Sequence, residues 1–119
     1  MPFQRGDIVW VPFTIPHNNK IEDHPALIIS NQHVFDLDEC YLSVMLTSSE
    51  HVDMFTFQIT NSMLQKPEST SFSQARCHLI AYMLDSHIAS NHPHNKMKQD
   101  YVDRLVQHIV TVALEDNEA

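Results

Sequence analysis

The sequence has few of the residues that mark a disulfide-rich, a zinc-binding or a membrane-spanning protein. Its 119 residues include only two cysteines, one glycine and one tryptophan. Cys40 and Cys77 lie far apart and form no Cys-x-x-Cys pair, so both are expected to be buried, reduced thiols. No apolar stretch has the length of a signal peptide or a membrane span. These absences predict a cytoplasmic protein with no metal, no other cofactor and no membrane partner.

Positive charge is also scarce. Seven lysines and arginines stand against fifteen aspartates and glutamates, which gives a net charge of −8 with the nine histidines counted as neutral. A protein that binds nucleic acid normally shows a basic patch or stripe. Any affinity for RNA is therefore expected to be weak and salt-sensitive, although histidines can gain positive charge near phosphates.

The chain does contain short apolar runs that are typical of strands. In residues 5–13 β-branched and aromatic side chains alternate with others, as on a half-buried pleated surface. Gly6, the only glycine, is predicted to supply the bend that starts this strand. Trp10 and Phe13 are candidates for stacking on RNA bases. Trp10 shares a strand face with Ile8, however, and is therefore expected in the core. Residues 24–31 form the second run.

The rest of the chain predicts a surface loop, three more strands and a long helix. The loop spans Thr14–Asp23, and the strands span Tyr41–Thr47, Met54–Ile59 and Thr70–Ile80, the last with a possible bulge. Residues 31–39 predict a turn or short helix, and residues 61–64 a single helical turn. Between Lys96 and Leu114 apolar side chains recur at three- and four-residue spacing, which predicts the helix. Residues 1–119 are interpreted as one globular domain.

Three motifs in order resemble the PemK/MazF family, the toxins of bacterial toxin–antitoxin pairs. They are Gly-Asp-Ile-Val-Trp-Val at residues 6–11, Pro-Ala-Leu-Ile-Ile-Ser at 25–30 and Leu-Thr-Ser at 46–48. The resemblance continues more loosely from Ser71 through Ile80 to the C-terminal helix. It implies a mainly β, SH3-like barrel with a C-terminal α-helix that forms a homodimer. It also implies metal-independent cleavage of single-stranded RNA and inhibition by a cognate antitoxin protein.

Metal-free RNA cleavage needs a base for the 2′-hydroxyl, donors for the phosphorane and an acid for the departing 5′-oxygen. Family members place an arginine before the proline of the second strand and a threonine or serine at the end of the third. This chain has His24 and Thr47 there, followed by Ser48. A histidine can act as base, acid or cation, so His24 is predicted to replace the arginine. The alternative is that His24 is an ordinary surface residue of a decayed site.

A second family feature is an arginine and an aspartate, two apart, before a glutamine on a later strand. Gln74 matches the glutamine, but the paired positions hold Ser71 and Ser73. Arg76 follows two residues later and is predicted to be a catalytic cation. The alternative is that its stem covers the barrel edge.

Two further histidines complete the predicted site. His17 lies in the long loop, where it would pair with His24 across a groove if the loop folds over the substrate. His78 follows Arg76 by two residues and is expected on the same sheet face. A solvated loop histidine and a buried, hydrogen-bonded histidine are the respective alternatives. His92 and His94 lie close together, but the sequence near them offers no third ligand for a metal.

The first functional hypothesis is an endoribonuclease toxin that cuts single-stranded mRNA. Its catalytic residues are His24, Thr47 and Arg76, and its substrate-binding residues are His17, Ser48, Ser71, Ser73, Gln74 and His78. The second hypothesis is a non-catalytic module with the same barrel that binds a protein partner, as gyrase-poisoning toxins do. A third is a domain of this fold with no toxicity. The scarcity of lysine and arginine favours the second hypothesis, whereas the presence of His24 together with Thr47 favours the first.

Overall fold

The computed structural model describes residues 2–68 and 71–116. Its strands are β1 (Asp7–Thr14), β2 (Ile21–Ile28), β3 (Cys40–Thr47), β4 (Thr56–Gln58), β5 (Gln74–Leu84) and β6 (Asn95–Lys96). Its α-helices are α1 (Gln32–Asp38) and α2 (Gln99–Ile109), and a π-helical segment over Val110–Leu114 extends α2. Single 3₁₀ turns lie at Asn61–Met63 and Asp85–His87. None of the helices described is long and apolar enough to span a membrane.

The strands form one antiparallel sheet in the order β4-β5-β3-β2-β1-β6. The β1–β2 hairpin and β3 follow each other along both the chain and the sheet. The register between β3 and β5 shifts between Val44 and Leu46 of β3, and beyond this shift residues 74–75 of β5 pair with β3 on one side and with β4 on the other. This irregularity curves the sheet, which is barrel-like without being closed, since β4 and β6 are the edges of the described sheet.

Both faces of the sheet are buried around its centre. On one face Ile8, Leu27 and Val44 pack with Val102 and Leu105 of α2. On the other face lie Val9, Val11, Phe13, Ala26, Ile28, Tyr41, Met45 and Met83. The apolar periodicity that predicts the helix therefore faces the sheet, and α2 covers one side of it.

Gly6 fits where other residues do not. Its φ is 99°, and a Cβ there would lie 2.8 Å from Nε2 of Gln99 and 3.0 Å from the carbonyl oxygen of Met97. The backbone N–H of Gly6 donates to the carbonyl of Ile28, and its carbonyl accepts from the N–H of Met97, both at 2.8 Å. The predicted bend is therefore confirmed. Its two hydrogen bonds join the start of β1 to the end of β2 and to Met97, just before α2.

The prediction that Trp10 lies in the core is wrong. Trp10 is 41% exposed, whereas Ile8 on the same face is fully buried. The residues of α2 pack over Ile8, but the cluster that they form does not include Trp10.

The sequence predicts that both cysteines are buried, reduced thiols. Cys77 is fully buried, while Cys40 is half-buried, and both are free thiols. Burial raises the pKa of the Cys77 thiol to about 11.

Four predicted boundaries also shift. The predicted loop Thr14–Asp23 shrinks to residues 15–20, because β1 and β2 remain paired as far as Thr14 and Ile21. His24 consequently lies within β2 and does not open it. The strand predicted over Met54–Ile59 shrinks to β4, and the one over Thr70–Ile80 starts at Gln74 and runs on to Leu84. Thr70 lies outside the described residues. The helix starts at Gln99, because β6 pairs with β1 before it.

Candidate functional site

Three predicted site residues follow one another across neighbouring strands and form a row. β2 pairs with β3 as far as Ala26 and Met45, and His24 and Thr47 each lie two residues beyond this last pair. Thr47 in turn pairs with Gln74 of β5. Residues opposite each other on neighbouring strands project to the same face with Cβ atoms about 5 Å apart. The row crosses three strands that the sequence separates widely.

Thr47 ends β3 with its side chain half-buried. Its Oγ1 accepts a hydrogen bond from the N–H of Ser49 at 3.2 Å, and its carbonyl accepts from the N–H of Ser73 at 2.9 Å. The Thr47 hydroxyl therefore keeps its own hydrogen for another acceptor. The side chains of Ser48 and Ser73 are exposed beside it.

His24 has few constraints of its own. Its side chain is 20% exposed, and its Nε2 lies 3.5 Å from Oε1 of Glu22, which is too long for a strong hydrogen bond. Asp23, the other acidic neighbour in sequence, pairs through the backbone with Pro12 and is exposed. The imidazole of His24 is therefore accessible and weakly held.

Gln74 positions the loop that follows β3. It is 1% exposed, and its Nε2 donates to the carbonyls of Ser49 and His51, both at 2.7 Å. Both amide hydrogens are thus used within the chain, and the amide has none left for a phosphate. Its Oε1 accepts from Nη1 of Arg76 at 3.3 Å, so Gln74 also orients the arginine.

Arg76 is held by a carboxylate that the sequence analysis did not single out. Its Nη1 and Nη2 donate to Oδ1 and Oδ2 of Asp53 at 2.9 and 2.8 Å, and Nη1 also donates to Oγ1 of Thr56 at 3.0 Å. The hydrogen bonds from Arg76 hold the pKa of the Asp53 carboxyl well below its usual range. The pair is therefore fully ionised near neutral pH, and the guanidinium is largely neutralised before any phosphate arrives.

His51 is the second residue that the sequence analysis missed. Its side chain is 72% exposed, and its Nε2 lies 3.2 Å from Oδ2 of Asp53. His51 thus stands at the edge of the Arg76–Asp53 pair, on the loop that Gln74 holds. No spacing rule links residues 51 and 53 to residue 76. The pairing of β4 with β5, which sets Thr56 opposite Arg76, is what brings them together.

The other predicted site residues lie at separate places in the fold. His78 stacks on Phe55 with ring centroids 4.2 Å apart, and burial followed by the nearby Arg76 charge lowers its pKa. His17 lies at the exposed tip of the β1–β2 hairpin with a φ of 74°, and no hydrogen bond or ion pair joins its side chain to another described residue. Ser71 is hydrogen-bonded to Glu68 and so belongs to a different cluster.

A groove leads away from the site along β5. It has a volume of about 410 Å³ and lies between Pro12–Thr14 on one side and residues 78–82 on the other. His78 lies at its end nearest to Arg76. The groove is open, and none of His24, Thr47 and Gln74 lines it. In the part of the chain that the model covers, no three His, Cys, Asp or Glu side chains are grouped as metal ligands.

The arrangement offers the groups that phosphoryl transfer to a 2′-oxygen requires. His24 provides a half-buried imidazole on β2, and His51 provides an exposed imidazole on the loop that Gln74 holds. Arg76 provides a positive charge and Thr47 a hydroxyl donor.

The comparisons with known proteins agree with this fold. A family model described as the PemK-like, MazF-like toxin of type II toxin–antitoxin systems matches residues 4–113. No curated protein sequence matches significantly. The crystal structure of MazF from Deinococcus radiodurans is 12% identical, with a TM-score of 0.73 over 94% of this chain and 96% of that chain.

Complexes with an antitoxin are among the similar structures. A MazE–MazF structure from Deinococcus radiodurans is 12% identical, with a TM-score of 0.70 over 94% of this chain and 96% of that chain. An endoribonuclease in complex with its cognate antitoxin, from a mycobacterial species, is 11% identical, with a TM-score of 0.69 over 98% and 99%. At these identities the likeness shows the fold, and it confirms the predicted mainly β, barrel-like architecture with a C-terminal helix.

Proposed function

The chain belongs to the PemK-like, MazF-like toxins of type II toxin–antitoxin systems, and on that premise we propose that it cuts single-stranded mRNA without a metal ion. The observation that carries the proposal is the row of His24, Thr47 and Gln74 across three strands, with Arg76 joined to it through Gln74. Two solved structures of similar fold carry the description endoribonuclease. In this reading the protein acts in the cytoplasm, where mRNA is available.

The proposed reaction transfers the phosphorus from the 5′-oxygen to the neighbouring 2′-oxygen. Nδ1 of His51 takes the 2′-hydroxyl proton, since Asp53 faces Nε2 of the same ring. The 2′-oxygen then attacks the phosphorus, and the P–O5′ bond breaks. Protonated His24 donates a proton to the departing 5′-oxygen. Arg76 and the Thr47 hydroxyl stabilise the negative charge of the phosphorane. The products are a 2′,3′-cyclic phosphate and a 5′-hydroxyl.

The test is incubation of the purified protein with a long single-stranded RNA at low salt in EDTA, followed by mapping of the cut sites and end groups. We expect defined cuts that leave 2′,3′-cyclic phosphate ends. Low salt matters because the net charge of −8 opposes RNA binding. The absence of cutting over a range of RNAs and salt concentrations would contradict the proposal.

A second candidate function is a module that binds a protein target without catalysis. The bidentate pairing of Arg76 with Asp53 favours it, because this pairing neutralises the central cation of the site. A protein of this kind would leave RNA intact in the same assay and would still arrest growth. Inhibition of purified gyrase by the protein would then identify the target class implied by gyrase-poisoning toxins of the same barrel.

We expect two protein partners, a cognate antitoxin and a second copy of the chain. An exposed apolar patch on β3 and β5 suits the homodimer: Leu42 and Tyr82 face each other and are 41% and 71% exposed, and Ile80 and Leu84 flank them at 37% and 40%. Tyr82→Glu is expected to shift the protein from dimer to monomer, because it places a charge in this patch. Sedimentation equilibrium measures this, with the exposed Leu37→Glu on α1 as the control. A Tyr82→Glu protein that stays dimeric would place the interface elsewhere.

A further inference from the structure

A second cluster of polar side chains lies where β6 meets the loop before β5. Nε2 of His94 lies 2.9 and 3.1 Å from the two carboxylate oxygens of Glu68. The Glu68 side chain is only 8% exposed, and it also accepts hydrogen bonds from Asn95 and Ser71. Burial opposes ionisation of Glu68, but the hydrogen bonds from His94, Asn95 and Ser71 outweigh it, so the pKa of the carboxyl is lowered. Glu68 is therefore a fixed anion that orients His94.

This contact determines which edge of the His94 ring is available. The Glu68 carboxylate accepts a hydrogen bond from Nε2–H, and no described residue forms a hydrogen bond with Nδ1. The His94 side chain is 33% exposed. A carboxylate that fixes one ring nitrogen while the other faces outward is the arrangement by which proteins present an imidazole to a ligand.

Trp10 forms the other wall of the cluster. Its ring is perpendicular to that of His94, with an interplanar angle of 86° and centroids 6.1 Å apart. The direction normal to the indole thus lies almost in the imidazole plane. A flat ring stacked on the indole would therefore lie perpendicular to the imidazole, an orientation that permits an in-plane hydrogen bond with Nδ1 at its edge. Trp10 is a large aromatic residue that is 41% exposed in the middle of a strand, where burial is the usual outcome.

We propose that Trp10, His94 and Glu68 form a nucleotide subsite that takes one unpaired base of the RNA, stacked on Trp10 and hydrogen-bonded at its edge by His94. The proposal rests on the proposed function for the identity of the ligand. The subsite adjoins the row described above, because Trp10 pairs with Pro25, the residue after His24. Trp10 and Pro25 project to the opposite face of the sheet from His24. An RNA strand that contacts both Trp10 and His24 therefore has to pass around the edge of the β1–β2 hairpin. Base–aromatic stacking adds to affinity without requiring a charge on the stacking residue, which suits a protein with few basic residues.

The experiment uses the fluorescence of Trp10, the only tryptophan in the chain. The intact protein is titrated with a short unstructured 2′-O-methyl RNA, which lacks the 2′-hydroxyl and so is not cut. Anisotropy of a labelled copy of this RNA gives the affinity of each variant. We expect saturable quenching, a loss of about ten- to hundredfold in affinity for Trp10→Ala, and about three- to tenfold for His94→Ala. His92→Ala, an exposed histidine two residues away, serves as the control.

Thermal melting separates binding from folding. If the cluster only anchors the loop to β6, His94→Ala and the milder Glu68→Gln will lower the melting temperature and leave RNA affinity unchanged, which overturns the proposal. RNA binding without quenching also overturns it, as does the absence of binding. Cutting of ordinary RNA without quenching rejects the subsite alone. Quenching without cutting supports the subsite and rejects the nuclease.

Discussion

Replacing His24 by alanine is expected to lower the rate of RNA cleavage by about 10²–10⁴-fold, the usual contribution of a general acid. The fold should survive, because the His24 side chain makes only the 3.5 Å contact with Glu22 and no buried hydrogen bond. Because the side chain is 20% exposed, its removal should lower the free energy of unfolding by about 1 kcal/mol. Initial rates on a long single-stranded RNA in EDTA measure the first effect, and a thermal melt measures the second.

Companion variants show whether the loss is specific. His87→Ala removes an exposed histidine from the 3₁₀ turn after β5 and should leave the rate unchanged. His51→Ala removes the proposed base and should lower the rate as His24→Ala does. Thr47→Val keeps the shape of the side chain but removes the hydroxyl, and it should lower the rate at all pH values. Full cleavage by the His24→Ala protein would remove the assignment of His24.

Much of the sheet is predictable because its signal is local. Alternation and β-branched residues indicate β1 and β2, and a continuous apolar run indicates β3. The three motifs then supply the order of these strands through resemblance to a known family. How far two strands stay paired depends less on the local sequence. The residues at the hairpin tip are polar and aperiodic, yet Ile21 to Asp23 pair with β1 because the hairpin continues outward.

The wrong and missing predictions concern which strand residues α2 covers and which side chains meet across neighbouring strands. Trp10 and Ile8 share a face, so alternation assigns both to the core, but α2 packs over Ile8 alone. Whether a helix reaches a given strand position depends on its length and crossing, and neither is a property of the strand. Likewise, Asp53 and Arg76 are separated by 23 residues and meet only because β4 lies against β5. The site could therefore be predicted in part, as His24 and Thr47, but without His51 and Asp53.

Replacing Arg76 by methionine is expected to lower the cleavage rate by about 10²–10³-fold, since it removes the main positive donor to the phosphorane. Methionine keeps the apolar stem that lies along the sheet. The same variant should flatten the dependence of RNA affinity on salt, because each phosphate contact with a single strand adds about 0.7 to the slope of the logarithmic plot. Binding of uncleavable 2′-O-methyl RNA at several salt concentrations gives the slope. Arg104→Met, on the exposed face of α2, is the matched loss of one charge.

The Asp53→Asn variant shows whether Arg76 binds the RNA phosphate or only stabilises the loop after β3. Asparagine can still accept a hydrogen bond from Arg76 but no longer neutralises it, so RNA affinity should rise and its salt dependence should steepen. If Arg76 serves only to fasten the loop after β3, both Asp53→Asn and Arg76→Met will lower the melting temperature without changing the salt slope. The proposed site would then rely on His24 and His51 for positive charge.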